Sequence, residues 1–190
     1  KMPANYAHNV YDHGTHNATT TMKKEVLTVD PTKVPGAVFF LPTPKSPHGC
    51  DVDPTGSYII GNGKLSADLT VHSFDKMIDA IENEKFDGEA YGIPILSFED
   101  ILAGTVKQAG LGPLHTEFDG KGNAYTTFFI SSELVKWNIE TREVIDRQPN
   151  YYSVGHVMIP GGNSAEPFGK YAVSMNKITK DRYLPTGPEL

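Results

Sequence analysis

Three times along this chain a histidine that follows glycine or proline leads through a tight reversal into a strand-like run. The units are "SPHGCDVDPTGSYIIGNGKL" at His48, "GLGPLHTEFDGKGNAYTTFFI" at His115 and, with a looser loop, "VGHVMIP" through "PFGKYAVSMNK" at His156. The reversals are Asp53-Pro54-Thr55-Gly56, Asp119-Gly120-Lys121-Gly122 and Pro167-Phe168-Gly169. Such punctuation breaks the chain into short strands joined by turns. His115 follows His48 by 67 residues and His156 follows His115 by 41, the longer interval holding a helical insertion. Short strands recurring at this period read as propeller blades, whose equivalent positions face a common axis. The expected fold class is all-β: about three blades of a β-propeller with a short helical insertion.

Residues 1–25 are polar, show no sustained period of 2 or 3.6, and read as loop. Residues 1–35 are accordingly expected to be an irregular segment among propeller loops, with the blades over 36–190. "GAVFFLPTP" reads as a short strand stopped by prolines, and "GSYIIGNGKL" with "LTVHSF" as a hairpin. Phe74, Met77, Ile78 and Ile81 share one face of a helix over 74–86 that Ser73 can cap. A second short helix is expected from "SFEDILAGTVKQAG", where Ser97 and Asp100 have capping-box spacing and Gly110 can end it. These helices form the insertion over 73–110. Val135, Trp137 and Ile139 alternate, as a half-buried strand requires.

The 17 basic and 23 acidic residues leave a net charge of −6, which disfavours binding to nucleic acid or to an anionic membrane surface. No apolar run is long enough to span a bilayer, and "KMPANYAHNV" lacks the apolar core of a signal peptide. The single cysteine, Cys50, cannot close an intrachain disulfide and reads as a buried thiol, although its place two residues after His48 also suits a soft metal.

Imidazole is the commonest metal-binding side chain, yet His48, His115 and His156 form no local zinc-finger or zincin motif. They read either as braces of their turns or as a shared metal site on the blade axis. His8, Asp12, His13 and His16 form a second, local group in the polar N-terminal stretch, and His72 lies in a strand as a structural residue. Lys177 is a solvated strand lysine or, beside a metal, a donor and positive charge for a polar ligand. Asp51, Asp53, Glu117 and Asp119 lie in or beside turns whose backbone they would cap, so paired-carboxylate hydrolysis is not indicated. A nucleophile elbow, a phosphate loop and a dinucleotide fingerprint are all missing from the sequence.

With "SPHGCDVDPTGSYIIGNGKLSADLTV", "GPLHTEFDGKGNAYTT", "VGHVM" and "NKITKDRYLPTGP" in this order, the chain from about residue 36 onward resembles the propeller domain of nitrous oxide reductase. That resemblance implies a seven-bladed propeller bearing a four-copper sulfide cluster held by seven histidines. His48, His115 and His156 match three of those ligands, and Lys177 matches the lysine at the open edge where nitrous oxide is reduced to dinitrogen and water. It further implies a periplasmic homodimer in which the partner subunit's cupredoxin-like domain, with its binuclear copper centre, supplies electrons. A c-type cytochrome or small copper protein is then the donor, and calcium a possible structural ion. On this resemblance the chain is a fragment, with the other four histidines and the cupredoxin-like domain outside it. A non-catalytic propeller binding module and a zinc- or calcium-dependent hydrolase are the competing expectations.

Overall fold

The structure, a computed structural model, describes residues 6–13, 22–151 and 153–177, the first span and 22–29 by their backbone alone. In chain order the elements are β1 (Tyr6–His13), β2 (Met22–Val29), β3 (Pro47–Val52), β4 (Tyr58–Gly63), β5 (Leu69–Ser73), α1 (Phe74–Glu82), β6 (Phe86–Ala90), β7 (Ile93–Leu96), α2 (Phe98–Ile101), β8 (Leu102–Val106), β9 (Pro113–Phe118), β10 (Asn123–Phe128), β11 (Glu133–Asn138), β12 (Val144–Pro149), β13 (Val154–Met158) and β14 (Val173–Asn176). Two units divide them, one taking residues 1–41 and 86–96, the other residues 42–85 and 97–190.

The second unit holds two four-stranded antiparallel sheets, ordered β3-β4-β5-β8 and β9-β10-β11-β12, and a two-stranded sheet β13-β14. Each four-stranded sheet runs out from one edge strand, as a propeller blade does, and the starting strands β3, β9 and β13 pack side by side. The expected all-β propeller fragment is therefore the observed architecture. Ile60, Leu69, Val71, Val106, Phe118, Phe128, Val135 and Trp137 form the core shared by the two larger sheets. The alternation read in β11 is visible there: Val135 and Trp137 have no exposed surface while Lys136 between them is partly open. A buried run of polar groups crosses the second sheet, the Trp137 indole donating to Thr126 Oγ1 at 2.9 Å and Thr126 sharing a 2.8 Å hydroxyl contact with Thr116.

Turn chemistry follows the sequence at two of the reversals. Asp53 accepts from the N–H groups of Thr55 and Tyr58 at 3.1 and 2.7 Å, and Asp119 from those of Lys121 and Asn123 at 2.8 and 3.2 Å. Asp51 departs from that reading, because it reaches out of its own strand to β9.

Several local expectations are corrected. Residues 97–110 form only the four-residue α2 before turning into β8, which completes its blade against β5; Ser97 makes no side-chain cap bond, and a fourth strand burying Val106 outweighs the local helical signal. The part inserted between β5 and β8 is thus α1, the β6-β7 hairpin and the short α2. In α1 the cap is as read, Ser73 accepting from Lys76 N–H, but Met77 and Ala80 are the buried residues while Phe74 and Ile78 face outward. "GAVFFLPTP" is no strand: Phe40 makes an isolated bridge, its N–H bonding Pro94 O and its carbonyl accepting from Leu96 N–H, because the surrounding prolines interrupt a ladder.

The first unit pairs β1 with β2 from Tyr6 opposite Val29 to His13 opposite Met22, so residues 1–25 are not loop throughout. A polar hairpin satisfies its backbone without the apolar alternation that makes strands visible in sequence. No helix among the described residues is long and apolar enough to cross a membrane.

Candidate functional site

The three starting strands carry one singled-out histidine each: His48 on β3, His115 on β9 and His156 on β13. What brings the strands together begins at Gly49. Its φ is +78°, and a Cβ there would overlap the carbonyl oxygen of Leu114, so only glycine lets β3 close on β9 directly beside both His48 and His115. Two side chains then lock β9 in place. Asn62 Nδ2 donates to Leu114 O at 2.7 Å, and Asp51 accepts from Thr116 N–H at 2.8 Å, gripping the residues on either side of His115.

On the other side Thr127, fully buried on β10, accepts from His115 N–H at 3.4 Å and donates its hydroxyl proton to the carbonyl of Gly155, next to His156. The outcome is a contiguous group of rings. His48 and His115 meet edge to face with centroids 4.8 Å apart, and His115 and His156 lie tilted at 31° with centroids 4.4 Å apart. Lys177, whose N–H bonds Ser153 O, brings its Nζ to 2.9 Å from Nε2 of His48. All four residues singled out in the sequence therefore stand together, although 129 positions separate His48 from Lys177.

Burial holds His115 well below the ordinary imidazole range, at about 4, with the neighbouring His156, His48 and Lys177 adding to the effect. His48 is lowered by the same causes: burial first, then Lys177, Lys64 and His156. Lys177 is also lowered, by desolvation and by Lys64. His48 and His115 are thus neutral imidazoles with a lone pair to offer at neutral pH, the form that binds metals. His115 Nε2 is buried and has no hydrogen-bond partner among the described residues. That orphaned nitrogen fits a metal ligand. Among the described residues no three His, Cys, Asp or Glu side chains close on a single ion.

Other candidates stand apart. Cys50 is exposed, correcting the buried-thiol reading, because its strand starts the blade and turns this side chain away from the core. His72 is fully buried on β5 against Phe98, as a structural residue. His8, Asp12 and His13 fall on β1, where only the backbone is described, and His16 lies outside the described residues. A cleft of about 400 Å³ at the turn ends, lined by Asp53, Thr55, Gly120, Ile139, Glu166 and Pro167, contains none of the histidines. Sequence reasoning missed Asn62, Thr127 and Lys64. The first two are polar residues inside apolar strands, a signal that became readable only once their partners were known; Lys64 sits 4.3 Å over the Phe129 ring.

Comparison with known proteins bears on the same residues. The family model described as the nitrous oxide reductase propeller repeat matches residues 147–190, which include His156 and Lys177. The nitrous-oxide reductases of Stutzerimonas stutzeri and Pseudomonas fluorescens are each 39% identical over 159 residues, and that of Ralstonia nicotianae 37% over 160. Each alignment takes in 78% of this chain, which spans 23% of the length of these curated relatives. Two blades, part of a third, the matched propeller repeat and identities near 39% lead to one conclusion: the chain belongs to the nitrous oxide reductase family, as a stretch of its propeller domain.

Proposed function

We propose that this chain supplies His48, His115 and His156 as ligands of a four-copper sulfide cluster at which nitrous oxide is reduced, and that Lys177 serves the substrate at its edge. The reaction takes N2O, two electrons and two protons to N2 and water. The observation that carries this reading is the meeting of three imidazoles from three blades with one amine. Imidazole suits copper, and three neighbouring rings on separate strands can each serve a different ion of a multinuclear cluster. When bound, such a cluster supplies electron-rich metal for donation into the antibonding orbitals of an inert, weakly binding substrate.

The chain's own residues do the rest. Asn62, Asp51 and Thr127 fix the backbone around His115, so the rings are held in place before any ligand arrives. Nε2 of His48 faces the amine, which leaves Nδ1 as the nitrogen it offers a metal. The Lys177 ammonium, at the exposed edge, donates a hydrogen bond or a proton to the oxygen end of the substrate, where negative charge grows as the N–O bond breaks. Lowering of its pKa by desolvation and Lys64 makes that proton easier to give.

By the same reading the whole enzyme is a periplasmic homodimer with seven blades, completed by a cupredoxin-like domain carrying a binuclear copper centre. A c-type cytochrome or small copper protein feeds it, and calcium is a structural ion outside the residues assigned here. The test is His115→Ala in the full-length protein, measured by copper per chain and by nitrous oxide reduction. Copper is expected to fall and turnover to vanish. Unchanged copper and turnover would make the histidines braces of a non-catalytic propeller module instead.

A further inference from the structure

We propose that Gly155 is a positioning residue for Lys177: the missing side chain at 155 is what lets the lysine stem cross β13 and set its amine against His48. The inference rests on the role given to Lys177 above. Gly155 is buried, and it is not among the residues with positive φ, so its backbone accepts any L-residue. The requirement for glycine is therefore not conformational. A Cβ at 155 would overlap Cγ of Lys177 and come within 2.9 and 3.0 Å of its Cε and Cδ, and these three stem carbons are its nearest neighbours. The stem thus lies along the glycine for nearly its whole length before Nζ reaches Nε2 of His48 at 2.9 Å.

Both ends of this arrangement are pinned. The Gly155 carbonyl accepts the Thr127 hydroxyl, and the same hydroxyl takes the N–H of His115, so the floor under the stem is fixed relative to the neighbouring histidine. Lys177 N–H bonds Ser153 O at 2.9 Å, which fixes where the stem starts. Between two fixed points a flexible side chain has a single short path, and that path runs over residue 155. A methyl group there lifts the stem and withdraws the amine while every imidazole keeps its place.

The experiment uses the full-length, copper-loaded protein in four forms: wild type, Gly155→Ala, Lys177→Ala and the double variant. All four are expected to keep the same copper per chain. Lys177→Ala and Gly155→Ala are each expected to lower turnover by about the same factor, roughly 10²-fold as for loss of one positioned proton donor, and the double variant to lose nothing beyond Lys177→Ala. Additive losses in the double variant would overturn the inference, since they would mean that Gly155 acts independently of the lysine. A crystal structure of Gly155→Ala gives a readout without activity: the amine is expected to have left Nε2 of His48, and an amine still at hydrogen-bond distance overturns the inference. If wild type carries copper but reduces no nitrous oxide, the functional reading fails and this structure alone decides the positional one. If Gly155→Ala does not fold, the double variant should, because alanine at 177 removes the clashing stem; failure of both would assign Gly155 to the backbone and overturn the proposal.

Discussion

His72 sits fully buried on β5, edge-on to Phe98 at 5.9 Å between ring centroids, and neither ring nitrogen has a hydrogen-bond partner among the described residues. Burial alone lowers its pKa to about 4, against 6.5 in an unfolded chain. Above pH 6.5 both states are neutral and the stability is complete; as pH falls from 6.5 to 4 only the unfolded chain takes up the proton, and stability is lost. The loss amounts to about 3 kcal/mol, at roughly 1.4 kcal/mol per unit. His72→Phe is expected to flatten the dependence of the denaturation midpoint on pH across that window, and an unchanged slope would refute the assignment. Asp51 works in the opposite sense. Burial raises its pKa to about 6, so its contribution is complete below pH 3.8 and is lost as pH rises through 6. Asp51→Asn keeps an acceptor for Thr116 N–H and is expected to raise the midpoint at pH 7 but not at pH 4. At this scale the sequence showed residue types correctly and partners poorly: Asp51 reads as a turn cap, while its partner lies 65 positions away.

Elements assembled from local signals were readable where the signal was strong and unopposed. The alternation in β11, the reversals at Asp53 and Asp119 and the Ser73 cap all follow from neighbours a few residues apart. β8 was misread because its identity comes from pairing with β5, about 34 positions earlier, and a single sequence carries no mark of that partner. The same non-local pairing makes Gly49 critical. Gly49→Ala would place a methyl on the Leu114 carbonyl in a backbone with φ of +78°, and is expected to cost on the order of 3 kcal/mol by denaturant unfolding. A cost below about 1 kcal/mol would show that β3 and β9 do not pack this closely. Trp137→Phe removes the indole N–H that Thr126 Oγ1 accepts and leaves a void where the larger ring was, with an expected loss on the order of 3 kcal/mol in the same assay.

For the whole molecule, the core shared by the two larger sheets is built from Ile60, Val71, Phe118, Phe128 and Trp137, none of which belongs to the histidine group. If the proposed function holds, stripping copper from the full-length protein is expected to remove its colour while leaving the far-ultraviolet circular dichroism of the blades in place; loss of the β signal would show that metal, rather than packing, holds them. By itself the chain of residues determined its strand-rich character, its reversals, the three histidines and the lysine worth watching, because turn chemistry, alternation and motif are written within a few neighbouring positions. Only the tertiary structure decided that those four side chains meet, that Asn62, Asp51 and Thr127 hold them in register, and that Lys177 reaches His48 across Gly155. The physical reason is range: hydrogen bonds and steric contacts between strands of different blades act over a few ångströms in space but over dozens of positions in sequence, where no periodicity records them.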